Sequence, residues 1–359
     1  MFTRSKNNRK RLKKEKAMKT QRKTVLITGA NGEIGHGLID HLANTGDTEI
    51  VVMDLHPLDE PLRRKCSHAI VGDILNMNIL ESLSTAHDFD TIFHLAALLS
   101  TRAERQPPLA HHVNVDGMLN LLEIAVTQSR VQGRQINFVY PSSIAVYGLP
   151  TLMVKNQAAK IRESEWCGPR TMYGINKLYC ELLGNYYAAF YRQLDADPSV
   201  GRIDFRCLRF PGLISATTVP TGGTSDYASE MLHHAAQGKP YTCFVREDTQ
   251  IPFMAMPDAV QALLRLEAAP RKSLSQQVYN VSAFNPSALE LNQLVRSAFP
   301  KSEVSFVPDL RRQAILDSWP ADLDTRAASN DWGWKPEYSI ERAFRDYLVP
   351  SIRERYRSA

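Results

Sequence analysis

Thr24-Val25-Leu26-Ile27-Thr28-Gly29-Ala30-Asn31-Gly32-Glu33-Ile34-Gly35 is the stretch on which the fold turns. Its first five residues are a short β-branched, apolar run that reads as a strand. Glycines at every third position follow, and then Ile34, Leu38, Ile39 and Leu42 fall on one side of a helix. Strand, glycine loop and helix in that order lift a glycine motif above chance. Gly29 and Gly32 allow a tight turn and close backbone approach to a pyrophosphate, and Gly35 lets the helix pack on the strand. The helix N-terminus then turns unpaired N–H groups toward the phosphates. Asn31 and Ile34 belong to the same cofactor-contacting loop. The spacing Gly-x-x-Gly-x-x-Gly departs from the commoner Gly-x-Gly-x-x-Gly.

Working outward, Glu49-Ile50-Val51-Val52-Met53 reads as a second strand ending in Asp54, nineteen residues past Gly35. A carboxylate there accepts from both hydroxyls of an adenosine ribose and repels a 2′-phosphate, so NAD is expected over NADP. The plainer reading is a strand-end turn residue. Ala69 to Asp73 reads as a third strand whose acidic end, with Ile74, is placed to meet the adenine edge. Thr91 to Ala97 reads as a fourth, and the Leu95-Ala96-Ala97 end lets the backbone run close to the cofactor. Pro107 to Gln128 reads as one long helix carrying Asn114. Gln135 to Tyr140 is a fifth strand ending at Pro141-Ser142-Ser143, and Arg202 to Arg209 a sixth, after an insertion over 194–201. Strands alternating with helices imply an α/β fold with a doubly wound, mostly parallel sheet and ligands at the carboxyl ends of its strands. Ser100, Ser142 and Ser143 all lie just past such ends. The expected division is a basic, disordered tail over 1–23, a cofactor domain over 24–211, and a smaller mixed α/β substrate-binding domain over 212–359. Strand returns are expected near 250–254 and 278–280.

The net charge of +5 is misleading. Residues 1–23 carry eleven Lys/Arg and one Glu, leaving 32 Lys/Arg against 37 Asp/Glu in the remainder, a net of −5. The body is mildly acidic, which disfavours nucleic-acid binding, although the tail could touch polyanions. The tail reads as a solvated extension or an over-long start ahead of Met18. Targeting is the weaker alternative, because only Phe2, Leu12 and Met18 are large and apolar there. A cytoplasmic location is therefore expected, with the mitochondrion as the alternative. No apolar run approaches the roughly 18 residues of a spanning helix, so no membrane partner is expected. Five scattered cysteines, with no Cys-x-x-Cys, suit a reducing compartment and argue against disulfides and zinc. The adjacent histidine pairs 111–112 and 233–234 cannot share a helix face, so no metal is expected.

Tyr173-Gly174-Ile175-Asn176-Lys177 puts a phenol and an ammonium one helical turn apart. The cation favours the phenolate, so a lowered Tyr173 pKa is expected. The spacing alone is common in helices.

Taken together, these features resemble the extended short-chain dehydrogenase/reductase family, the NAD-dependent epimerase/dehydratase group, over residues 24–350. Gly29, Gly32, Gly35, Ser143, Tyr173 and Lys177 stand at its motif positions. The run Ser143-Ile144-Ala145-Val146-Tyr147-Gly148 resembles its Ser-x-x-x-Tyr-Gly segment. Dehydratases of the family have an Asp-Glu pair where Ile144 and Ala145 stand, and neither residue can eliminate water. A narrower resemblance, to the short-chain type of L-threonine 3-dehydrogenase, rests on Leu95 to Ser100, Pro141 to Gly148, Arg209 to Ser215, Gly222 to Ala228, Asp317 to Asp324 and Asp331 to Trp334. The tail, the 149–170 loop and the insertion near 194–201 depart from it.

The resemblance implies a Rossmann domain, NAD as cofactor, a small amino acid as substrate and a homodimer. The dimer helices would include 107–128 and the Tyr173 helix. It implies Tyr173 as base, Lys177 holding the nicotinamide ribose, and Ser143 orienting the hydroxyl of L-threonine as C3 is oxidised to 2-amino-3-oxobutanoate. Substrate contacts are implied at Ser100, Ser142, Thr224 and Asp226, and Asn114 is implied as a cofactor-site residue that steadies the active-site backbone or water. For Asp226 the plain alternative is an N-cap before Tyr227-Ala228. Asp258 could cap a helix beginning at Ala259, and Trp319, Trp332 and Trp334 read as packing anchors. Rival functions are a sugar-acid dehydrogenase, a nucleotide-sugar epimerase, a non-catalytic redox sensor, and a polyanion binder acting through the tail.

Overall fold

A computed structural model describes residues 22–197, 201–216, 220 and 223–357. The tail to residue 21, Gly222 and part of the 194–201 insertion lie outside the described residues.

In chain order the strands are β1 (Lys23–Thr28), β2 (Thr48–Asp54), β3 (His68–Val71), β4 (Thr91–His94), β5 (Asn137–Ser143), β6 (Asp204–Phe210), β7 (Gly212–Ile214), β8 (Tyr241–Cys243), β9 (Phe253–Ala255), β10 (Val278–Asn280) and β11 (Val304–Phe306). Among the described residues seven of them form one sheet in the order β10-β6-β5-β4-β1-β2-β3. Every neighbouring pair in it is parallel. The α/β, doubly wound Rossmann expectation is met. β1 is flanked by β2 and β4, so strand order reverses there and a crevice opens at the carboxyl ends. The smaller pairs are β7 with β9 and β8 with β11, both parallel.

Burial on both faces explains why β1 reads as an unbroken apolar run. Ile27 and Val52 pack with Leu38 and Leu263 on one face. Leu26 and Val51 pack with Leu121 and Phe138 on the other. A third core gathers Tyr227, Met231, Phe253 and Trp319. The segment Ile144 to Leu149 also packs into that third core, while β10 returns from the C-terminal part to the edge of the main sheet beside β6. The two parts of the chain therefore exchange segments.

Several boundaries move. β3 stops at Val71 and β4 at His94, with one more inter-strand hydrogen bond past each, from the Gly72 N–H to the Asp54 carbonyl and from the Leu95 N–H to the Thr28 carbonyl. The helix expected over 107–128 is helical throughout but changes its winding. Pro107–His111 is α, His112–Asp116 is π, and Gly117–Gln132 is α again. The π turn carries Asn114, and such single-turn π-bulges inside α-helices are frequent at functional sites. Asp258 lies inside the helix Met256–Ala268 rather than capping it. Its carboxylate instead accepts from the backbone N–H groups of Glu337 (2.9 Å) and Tyr338 (3.1 Å). Trp319 and Trp334 are buried, and all five cysteines are free.

Candidate active site

The glycine loop sits at the crevice. Gly29 has φ +69°, and a Cβ there would lie 2.5 Å from the Ala96 nitrogen. The loop thus runs flush against Leu95-Ala96-Ala97, whose start is tied down by the Leu95 N–H donating to the Thr28 carbonyl at 3.0 Å. A Cβ on Gly35 would lie 2.4 Å from the Ala30 carbonyl oxygen, so the helix Glu33–Thr45 meets the loop backbone directly. Its N-cap is Gly32, which brings no side chain to the first-turn N–H groups; a helix start left this way offers its donors to an anion.

Asp54, at the end of β2, accepts from the Asn31 N–H (2.9 Å) and the His56 N–H (3.0 Å). It therefore fastens the glycine loop to the second strand. Asp73 closes its own turn, accepting from the Leu75 N–H at 2.9 Å. Ile74 is buried against Gly117, where a Cβ would come within 2.4 Å of its Cδ1. A cradle free of side chains, an uncapped helix start and acidic strand ends fit a dinucleotide.

The Tyr173 helix, Met172–Asn185, starts at Thr171, whose hydroxyl accepts from the Gly174 N–H at 3.1 Å. Gly174 lies in the first turn of that helix. A Cβ on it would lie 2.0 Å from the Ala145 carbonyl oxygen, so the helix is seated directly on the turn that follows β5. That seat lies one residue from Tyr173 and two from Ser143. The Ser143 hydroxyl accepts from the Ala145 N–H at 3.2 Å and caps the turn Ile144–Val146.

Lys177 is 2% exposed. Its ammonium donates to the Pro141 carbonyl at 2.6 Å and stands 4.3 Å from the centre of the Tyr140 ring and 5.5 Å from that of Tyr173. Burial draws its pKa down to about 8, against the opposing pull of Cys180, Cys207 and Glu181. The expectation of a lowered Tyr173 pKa is corrected: burial pushes the phenol up. The reason is geometric. The Tyr173 ring packs among Leu98, Ala103, Ala110 and Met172, while the nearby cation is directed at Pro141 and Tyr140.

Two expected contacts have other partners. Ser142 is 3% exposed and its hydroxyl donates to Glu181 at 2.5 Å. Glu181 is in turn clasped by Arg209, Nη2 to Oε2 at 2.6 Å and Nε to Oε1 at 2.9 Å. Arg209 also donates to the Tyr147 hydroxyl (2.9 Å) and the Glu163 carbonyl (2.7 Å), tying the 149–170 loop to the site. The Asn114 amide is spent on Leu98, accepting from its N–H at 2.7 Å and donating to its carbonyl at 3.1 Å. It steadies the loop after β4, and its amide is turned to that backbone rather than to a cofactor.

The residues expected on the substrate side converge from both parts of the chain. Ser100 Oγ accepts from the Thr224 hydroxyl (3.1 Å) and the Thr224 N–H (3.3 Å). Asp226 occupies the N-cap position of the helix Tyr227–Ala236 without capping it; its carboxylate accepts from the Gly223 N–H at 2.6 Å.

Reading the sequence missed three groups here. Glu33 opens the cofactor helix, and burial, then the Asp226 carboxylate, push its pKa up to about 7. His94 ends β4 with Nδ1 2.8 Å from the Thr28 hydroxyl, and burial, then Lys177, hold its pKa down at about 3. The third is the Glu181–Arg209 pair. Only Glu181 left a trace in the sequence, one turn past Lys177. A cavity of about 780 Å³ lies behind the Tyr173 helix, lined in part by Leu178, Glu181, Leu182 and Arg209, away from Tyr173 and Ser143.

Residues 25–282 match the family described as NAD dependent epimerase/dehydratase. The mitochondrial L-threonine 3-dehydrogenase of Bos taurus is 35% identical over 317 residues, 88% of this chain and 79% of that one. The X-ray structure of L-threonine dehydrogenase from Clostridium difficile superposes with a TM-score of 0.80 at 32% identity, over 93% of this chain and 98% of that one. The holo form of the GalE-like L-threonine dehydrogenase from Cupriavidus necator gives 0.79 at 33% identity, over 91% and 99%.

Proposed function

The chain belongs to the NAD dependent epimerase/dehydratase family, and from that premise we propose that it oxidises the C3 hydroxyl of L-threonine to 2-amino-3-oxobutanoate. It is an NAD-dependent oxidoreductase. When bound, NAD would supply the hydride acceptor and the positive charge of its oxidised ring.

The residues divide the remaining work. Gly29, Gly32, Gly35 and the open helix start hold the pyrophosphate, and Asp54 takes the adenosine ribose. Tyr173 receives the hydroxyl proton, and Ser143 hydrogen-bonds the reacting oxygen as charge develops on it. Lys177 supplies positive charge beside a phenol that burial otherwise keeps protonated. The Ser100 hydroxyl, which accepts both Thr224 donors and keeps its own proton free, offers a donor to the substrate carboxylate, and Asp226 faces its ammonium. The observation that carries this reading is the seat of Gly174 on the Ala145 carbonyl, which brings the Tyr173 helix to the Ser143 turn.

The test is NADH formation with L-threonine, D-threonine, L-serine and sugar acids. Turnover of L-threonine above the others is expected, and none with L-threonine and NAD refutes the substrate. Tyr173→Phe removes turnover while NAD still binds; retained turnover refutes the base. An epimerase would keep its NAD through the cycle and release no net NADH.

The same reading divides the chain near Pro211 and makes it a homodimer. Support comes from a stripe along the outer face of the Tyr173 helix and the π turn Tyr186–Phe190 that continues it. Ile175, Tyr179, Leu182, Tyr186 and Phe190 are each more than two-fifths exposed, at spacings that share one helical face. Sedimentation should give twice the chain mass, and Tyr179→Glu with Leu182→Glu should give one. A cytoplasmic location, with the mitochondrion as alternative, is tested by fractionation. No described helix is long and apolar enough to cross a membrane.

A further inference from the structure

Among the described residues one trio of metal-donor side chains stands together, and it lies at the end of the sheet opposite the glycine loop. Glu49 is near the start of β2, His68 starts β3, and His87 is the C-cap of the helix Met77–Ala86. Their donor atoms all lie within 4.8 Å of one another. His87 Nδ1 is 3.2 Å from Glu49 Oε1, and His68 Nε2 is 4.0 Å from the same oxygen. We propose that Glu49, His68 and His87 form a binding site for a divalent transition-metal ion of the zinc class.

Zinc bonds to imidazole nitrogen and carboxylate oxygen are about 2.0–2.2 Å long, so ligand atoms around a tetrahedral ion lie roughly 3.4 Å apart. The Glu49–His87 separation, 3.2 Å, is already close to that value, and the longer His68 separation closes with a small side-chain movement. His68 is the ligand with that freedom, since its side chain is 55% exposed whereas that of His87 is 11% exposed.

The backbones are fixed by the fold rather than by the ion. Val51 is in register with His68 across the β2–β3 pair. The Ser67 N–H donates to the Ile50 carbonyl at 2.8 Å, and the Ile50 N–H to the Ser67 hydroxyl at 3.2 Å. The His87 N–H donates to the Leu83 carbonyl at 3.1 Å, and its ring stacks on Phe89 at 5.9 Å. The donor set excludes the hard oxygen-seeking ions, which take carboxylates, carbonyls and water. Three protein ligands with an open side leave the fourth position to water. The site lies about 17 Å along β2 from Asp54, five residues at the usual rise of a strand, so its role is structural, adding stability to a corner the fold has already assembled. Even spacings of nineteen residues match no local ligand motif, which is why the sequence carries no sign of it.

The experiment uses the full chain, stripped with a chelator and titrated with Zn²⁺ by calorimetry, and with Co²⁺ by visible absorption. One ion per chain is expected, with tetrahedral Co²⁺ bands and a rise in melting temperature. His68→Ala and Glu49→Gln should each weaken Zn²⁺ at least tenfold and abolish the thermal shift, while NAD-dependent turnover at saturating substrate is unchanged. His111→Ala with His112→Ala should change neither. Equal Zn²⁺ binding by the parent and His68→Ala overturns the proposal, as does binding that Glu49→Gln leaves intact or a parent that takes up no ion.

Discussion

The ammonium of Lys177 is held by the carbonyl of Pro141, 2.6 Å away. A cation anchored to the backbone of β5 occupies one position whether or not the phenol beside it is ionised. Replacing Lys177 by Met removes the charge and keeps the stem, so turnover should fall by about 10²–10⁴-fold, the usual range for a proton-transfer group. Lys177→Arg should not rescue it, because a planar fork cannot replace a point charge in a buried slot. Steady-state kcat for the two variants checks this, with a thermal melt to show that both fold.

Gly35→Ala should damage cofactor binding more than its size suggests. The added Cβ would lie 2.4 Å from a backbone oxygen, which has no rotamer with which to escape. The helix must back away from the loop, and the open N–H groups move with it. The dissociation constant for NADH, read by its fluorescence, should rise at least about tenfold, the equivalent of 1.4 kcal/mol.

Asp54→Asn should narrow the preference for NAD over NADP. On the proposed reading the substitution removes a charge that would repel a 2′-phosphate, and it weakens the hold on the Asn31 N–H. A charged hydrogen bond is worth about 1.5–3 kcal/mol, so the ratio of kcat/KM for the two cofactors should fall by about tenfold or more.

Glu181 and Arg209 test the buried network behind Ser142. Both are nearly fully buried and paired at 2.6 Å. Removing one partner strands the other, and such losses cost about 3–5 kcal/mol. Arg209→Met should therefore lower the urea midpoint sharply. Arg209→Met with Glu181→Leu, which strands no charge, should recover much of it.

His94 sets a pH dependence of stability. Its pKa is held down at about 3 in the folded chain, against about 6.5 when unfolded. Between these values the unfolded chain binds the extra proton, so stability falls as pH drops through 6.5 toward 3. From pH 7 to pH 5 the loss should be about 2 kcal/mol, and His94→Gln should lack it. Urea unfolding of both proteins at the two pH values decides it.

Lys177 shows how far its own sequence spacing could be trusted. A four-residue interval is a property of one helix, so the pairing with Tyr173 was legible. The direction of the phenol's pKa was not, because it is set by Leu98, Ala103 and Ala110, which come from another part of the chain. Ser142 divides the same way. Its place at the end of β5 follows from the strand run. That its hydroxyl belongs to Glu181 follows from an adjacent helix, 39 residues on.

By itself the sequence determined the strand, glycine loop and helix at residues 24–35, the acidic ends at Asp54 and Asp73, and hence a parallel sheet with its crevice at β1. These are local: each depends on residues within a turn or a strand of one another, where backbone sterics and side-chain periodicity decide. Only the tertiary structure decided that Gly174 rests on Ala145, that the Asn114 amide bonds the Leu98 backbone, and that Glu33 faces Asp226. It alone brought Glu49, His68 and His87 together. Each of those is a meeting of segments far apart in the chain, fixed by how whole elements pack, and close packing leaves no trace in the spacing of the residues that meet.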